Sequence, residues 1–140
     1  MGLAITYTSS VKRITPSKLR GFFAEWPEKP SPLTHLSLLR NSDHVVLAID
    51  PQTKNAVGFI TAVSDGVLCA YIPLLEVLPE YRNRGIGREL VRRMMNRLGK
   101  MYMVDLLCDP SVQPFYQRLG MTKATGMMLR NRARQSGGKR

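Results

Sequence analysis

A glycine-containing turn rimmed with arginine stands in the middle of the chain. L-L-E-V-L-P-E-Y-R-N-R-G-I-G-R-E-L, Leu74 to Leu90, reads as a strand ending at Leu78, a turn, and a helix that opens on Gly85-Ile86-Gly87. Glycine lets the backbone approach a ligand closely. The first helical turn presents N–H groups without intrahelical partners at the positive end of the helix dipole. Arg82, Arg84 and Arg88 add charge around it. The chemistry is anion binding, and the ligand that fits is a phosphate or pyrophosphate. The stretch lacks the Lys-Ser/Thr pair of a P-loop, which disfavours NTP hydrolysis. Leu90 stands where a dinucleotide fingerprint has its third glycine, which disfavours that fold. A tight turn and helix cap ahead of a solvated basic helix would also account for these residues.

The surrounding elements follow from pattern. Ala4 to Thr8 is a short strand candidate. Thr15-Pro16-Ser17 starts a helix with Leu19, Phe22, Phe23 and Trp26 at helical spacing, broken by Pro27, Pro30 and Pro32. A second short helix is expected from Pro32 to Asn41. Strands are expected over His44 to Asp50, Ala56 to Val63 and Val67 to Leu78, with Asp65-Gly66 as a hairpin turn. Ile86, Leu90, Val91, Met94, Met95 and Leu98 lie on one face of an amphipathic helix. Met101 to Cys108 reads as a strand, Ser111 to Leu119 as a short helix closed by Gly120, and Met121 to Leu129 as a final strand. The order β, α, α, β, β, β, α, β, α, β joins an antiparallel meander to a strand–helix–strand crossover. Residues 131–140 are expected as a disordered basic tail, and residues 1–130 as a single domain.

The 140 residues fit one domain with a real core, and 44% hydrophobic with 22% charged residues is ordinary for a soluble protein. No apolar run approaches the ~20 residues that span a bilayer. The first ten residues lack the layout of a signal peptide, although M-G-L-A-I-T fits the loose myristoylation pattern at Gly2 and Thr6. An ordinary start is expected. Cys69 and Cys108 have no CxxC or Cys/His neighbours, so no metal site is expected; they read as buried thiols in a cytoplasmic protein. His35 and His44 read as capping or core-edge residues. The formal net charge of +11 implies attraction to a polyanion: nucleic acid, an acidic surface or a phosphorylated cofactor. From Arg82 to Lys100 the one acid is Glu89, and none follows Asp109.

R-N-R-G-I-G, Arg82 to Gly87, matches the R/Q-x-x-G-x-G/A signature of the GNAT N-acetyltransferase superfamily, and the preceding L-E-V-L-P-E-Y-R is similar to its fourth strand. D-L-L-C-D-P-S-V-Q-P-F-Y-Q-R-L-G-M, Asp105 to Met121, resembles its second conserved block. The element order also resembles the family over nearly the whole chain. C-D-P-S-V-Q-P-F-Y is somewhat similar to the arylalkylamine acetyltransferase branch, which does not set the substrate. The resemblance implies an α+β, three-layer fold: a mostly antiparallel twisted sheet, its fourth and fifth strands splayed, with helices on both faces.

The resemblance also implies acetyl-CoA as co-substrate. Its diphosphate would sit on the loop Arg82, Asn83, Arg84, Gly85, Ile86, Gly87 and Arg88, and its pantetheine arm would pair with the backbone of Leu75 and Val77. Tyr116 would place its hydroxyl near the sulfur and protonate or stabilise the departing thiolate. The backbone at Val77 would polarise the carbonyl under direct attack by an amine. The base stays open among Glu76, Asp105, Tyr71, which stands where some relatives carry Glu or His, and a water chain. Glu76, the nearest acid, faces opposite to Leu75 and Val77 by strand alternation unless a bulge re-aims it.

The function expected is N-acetylation of a primary amine, on a small molecule or a protein. The alternative from another class is a basic nucleic-acid- or ribosome-binding module, its contacts made by the basic tail; a third is a CoA-binding protein without transferase activity. Little chain follows Tyr116, so the family's last strand is short or missing here. That opens the acceptor site or leaves it to a second subunit in a homodimer.

Overall fold

The computed structural model describes residues 4–138. Gly2, where the myristoylation pattern begins, lies outside them, as do Lys139 and Arg140. Five strands form one sheet in the order β1-β2-β3-β4-β5: Thr6–Thr8, His44–Ile49, Ala56–Ser64, Cys69–Val77 and Met103–Asp105. The first three pairings are antiparallel and β4–β5 is parallel. Three α-helices complete the fold: α1 (Pro32–Asn41), α2 (Ile86–Arg97) and α3 (Gln113–Gln117).

The strand register sorts the side chains into two layers. Leu47, Phe59 and Glu76 stand opposite one another across three strands and share a face, as do Ala48, Gly58 and Val77 on the other. The second face carries α2: a Cβ on Gly58 would meet Leu90 Cδ1 at 3.1 Å and Ile86 Cγ2 at 3.3 Å, so glycine there lets the helix lie close. Ile86, Leu90, Val91 and Met94 are buried beneath it, as the 3.6-residue pattern requires. On the first face, the Phe59 ring meets Phe22 at 5.2 Å and His35 of α1 at 4.4 Å. Helices therefore cover both faces. Ser31 caps α1, accepting from Thr34 N at 3.1 Å, and Pro32 takes the first turn.

β4 and β5 pair only over Cys69–Tyr71 and Met103–Asp105. Just beyond Tyr71 the β3–β4 register shifts, placing one extra residue on β4 at Ile72–Pro73. A bulge bends its strand, and Pro73 has no N–H to offer a neighbour. The two strands splay from that point.

Two sequence expectations are corrected. The helix expected after Thr15 is only a 3-10 turn, Pro16–Lys18, because Gly21 (φ 91°) and Phe23 (φ 59°) turn the chain out of helical geometry; the periodic Leu19, Phe22 and Phe23 are core residues of an irregular segment. The final strand over Met121 to Leu129 is not formed. Residues 122–130 are all exposed and run without regular structure, with Met127 at 95% and Leu129 at 96% exposure. In the tail, Arg132–Arg134 form a 3-10 turn, and the Gln135 side-chain oxygen accepts from Glu28 N at 3.1 Å. That bond ties the chain end back beside α1.

Candidate functional site

The splay opens a cleft of about 1270 Å³ lined by β4 from Pro73 to Val77, the turn Tyr81 to Arg88, Leu107 to Asp109, Phe115, and the segment Gly126 to Arg130. Ligand pockets are commonly 300–1,000 Å³, so this one has room for two reactants.

Its floor is an unpaired strand edge. Leu78 N donates to Val57 O at 2.8 Å. By antiparallel alternation, Glu76 faces its β3 partner with its main-chain groups, while Leu75 and Val77 turn theirs toward the β5 side. Among the described residues no strand meets them there.

The turn that follows gathers main-chain donors. Asn83 (φ 64°) and Gly85 (φ 81°) are both left-handed, an alternation that gathers successive N–H groups into a concavity. Gly85 is the cap of α2, and no side chain caps that helix. A Cβ on Gly85 would meet nothing within 4 Å, so the space before the helix is open. Tyr81 braces the turn from below: its hydroxyl donates to Asp50 Oδ2 at 2.8 Å, and the Arg84 guanidinium lies over its ring at 5.4 Å. Main-chain N–H from Gln52 and the Tyr81 hydroxyl hold the Asp50 carboxyl below its ordinary range. Glu89 is held at about 2 by Arg92 and Arg93, which confines its charge to those partners and leaves the turn's own arginines unopposed by it.

Leu75, Val77, Arg82, Asn83, Gly85, Ile86, Gly87 and Arg88 all line the cleft. Arg84 does not; its stacking on Tyr81 turns it aside. Glu76 lines the cleft, but its carboxylate is engaged: Oε1 accepts from Phe23 N at 2.7 Å and Oε2 from Ala24 N at 3.2 Å. The bulge precedes Glu76 and does not re-aim it; it keeps the Phe59 face. Tyr71 and Asp105 pair across β4–β5 before the splay and are not among the lining residues.

Tyr116 is 9% exposed and stands behind the lining residues Cys108 and Phe115, its ring edge-on to Phe115 at 4.9 Å. Burial, with Cys108 nearby, pushes its hydroxyl up to about 12. Cys108 is a correction: expected as a buried thiol, it is half-buried and faces the cleft. Phe23, Trp26, Met127 and Met128 are also cleft walls; the methionines, Phe22, Phe23 and Trp26 suggest such an apolar wall in the sequence, with ordinary core as the preferred reading. His35 is a core residue, 1% exposed, with burial pulling it down to about 4. Among the described residues there is no cluster of metal-ligating side chains, and no helix is long and apolar enough to cross a membrane.

Residues 11–121 match the sequence model of the acetyltransferase (GNAT) family. The crystal structure of a proposed acetyltransferase from Deinococcus radiodurans R1 is 44% identical, with a TM-score of 0.95 over 99% of this chain and 97% of that one. An uncharacterized N-acetyltransferase, ycf52, from Pyropia yezoensis is 27% identical over 84% of this chain and 70% of its own length. The aminoglycoside N-acetyltransferase AAC(6')-Iy in complex with CoA shares the fold at 17% identity, with a TM-score of 0.66 over 94% of this chain and 96% of that one.

Proposed function

The chain belongs to the acetyltransferase (GNAT) family and is an N-acetyltransferase, and from that premise we propose that it moves the acetyl group of acetyl-CoA directly to a primary amine held in the same cleft. The observation that carries this reading is the continuity of two features. The outward main chain of Leu75 and Val77 leads straight into the uncapped, left-handed turn at Asn83 to Gly85. One extended ligand with a diphosphate at its end fits both.

Acetyl-CoA supplies an activated thioester; the protein supplies alignment and charge. The turn's N–H groups, with Arg82 and Arg88, hold the diphosphate. The β4 edge fixes the arm by main-chain pairing, as an added half-strand would. The N–H of Val77 polarises the thioester carbonyl.

Tyr116, one layer behind the lining at Cys108 and Phe115, is the residue this reading assigns to the leaving sulfur. A thiol titrates near 8.5 and Tyr116 near 12, so full transfer of its proton is uphill. Its hydroxyl therefore stabilises the thiolate by donating a hydrogen bond. None of the carboxylates named from sequence is both in the cleft and unengaged: Glu76 holds main-chain N–H groups and Asp105 lies outside. The amine loses its proton to cleft water.

The nucleic-acid alternative has no support from the family match or the relatives. The test is isothermal titration with acetyl-CoA on wild type and Gly85→Glu, then acetylation of a panel of primary amines with Tyr116→Phe as control. Micromolar binding lost in the glutamate variant sustains the reading. No binding by wild type sinks it.

A further inference from the structure

Phe23 sits at φ 59°, a left-handed conformation that a residue with a bulky side chain keeps only when its surroundings hold it there. The holder is Glu76. Its two carboxylate oxygens accept from the N–H groups of Phe23 and Ala24, at 2.7 and 3.2 Å, across sequence separations of 53 and 52. The Phe23 ring, 2% exposed, packs against Trp26 at 4.9 Å and His35 at 5.0 Å. At the other end of the turn, Glu25 Oε2 lies 3.7 Å from Arg82 Nη1. Phe23, Glu25 and Trp26 all line the cleft.

We propose that Glu76 is a positioning residue: it clasps the turn Phe23–Trp26 into the one shape that makes it a wall of the cleft, and the acceptor amine is selected against that wall. The clasp stands on the geometry alone; the word acceptor rests on the transferase reading above. Ionised, the carboxylate accepts strongly from both N–H groups. Both oxygens are spent on the turn, which sets this carboxylate to hold the wall rather than to take the amine's proton.

Trp26 is the chain's one tryptophan and reports on the turn directly. The first experiment is acrylamide quenching of Trp26 in wild type, Glu76→Gln and Glu76→Ala, below the onset of melting seen by circular dichroism. The carboxamide of Glu76→Gln keeps one accepting oxygen, so the conservative variant should fall between the others. Glu76→Ala is expected to raise the quenching constant about twofold, because a local segment freed of its hydrogen bonds opens to solvent. Equal quenching in all three overturns the clasp, whether or not the protein binds acetyl-CoA. Titration of the same variants with acetyl-CoA is expected to give wild-type affinity, since the Leu75 and Val77 main chain is untouched. Absence of binding in wild type would instead overturn the transferase reading and leave the clasp standing.

The second readout is kinetic, with whichever of phenethylamine, spermidine and lysine wild type acetylates fastest. A positioning role predicts a KM for the amine raised about tenfold in Glu76→Gln, with the pH dependence of kcat unmoved. A fall in kcat with loss of its pH-dependent limb would make Glu76 the base and overturn the proposal.

Discussion

Arg82 donates from Nε to the Val77 carbonyl oxygen at 2.9 Å, so the first arginine of the turn reaches back to the last residue of β4. It holds in place the carbonyl that faces the cleft, and its Nη1 reaches Glu25 across the same opening. One side chain thus joins the strand edge, the anion turn and the aromatic wall.

Arg82→Ala is expected to weaken acetyl-CoA binding about tenfold at low salt, or about 1.4 kcal/mol. Titration repeated near 1 M salt should narrow the gap, since the Debye length there is about 3 Å. A loss of the same size at both salt levels would assign Arg82 a structural role alone.

The two glycines of the turn should respond in opposite ways. Gly85→Ala places a side chain at φ 81° and is expected to cost about 1–2 kcal/mol in chemical denaturation, with no clash to blame. Gly87 lies in the first turn of α2, and a Cβ there meets Val77 Cγ2 at 3.7 Å and Phe115 Cζ at 3.8 Å, ordinary contact distances. Gly87→Ala should therefore stabilise by up to about 1 kcal/mol through helix propensity while keeping acetyl-CoA binding.

Tyr116→Phe is expected to lower kcat by about a hundredfold while KM for acetyl-CoA changes little. The same variant tests stability at high pH. The hydroxyl titrates near 10 unfolded and about 12 folded, so the folded state favours the protonated form. Its contribution is complete below pH 10 and lost as pH rises through 12, on the order of 2–3 kcal/mol. Melting curves of Tyr116→Phe should lack that alkaline step.

His35 gives the corresponding acid step. Neither ring nitrogen has a hydrogen-bond partner among the described residues, and desolvation pulls the imidazole from 6.5 to about 4. Unfolded chain binds the proton first as pH falls, so stability present above pH 6.5 is lost on the way to 4, about 3 kcal/mol. His35→Leu keeps the packing against Phe22 and Phe59 and should flatten the melting temperature between those values.

The anion turn was legible because its signals are local: glycines, arginines and a helix start lie within seven residues. The meander and α1 were legible for the same reason, since period and proline placement define them without help from the rest of the chain. Glu76 was not. Its partners are main-chain N–H groups more than fifty residues away, and nothing in the side chains of Phe23 or Ala24 announces a donor. Trp26, read at helical spacing, and Met127, read within a final strand, carried no clear signal of the cleft, because hydrophobicity does not distinguish a packed interior from the wall of a groove. Leu19, Phe22 and Phe23 mimicked a helix because burial of an irregular segment can reproduce a helical spacing by chance.

The gap between β4 and β5 leaves main-chain groups of Leu75 and the Val77 N–H facing the cleft, while Arg82 holds the Val77 carbonyl. A coenzyme lying there would act on the native state as a missing strand does, and at a hundred times its dissociation constant would add about 2.7 kcal/mol to stability. The coenzyme supply would then set how long each molecule survives proteolysis as well as how fast it turns over.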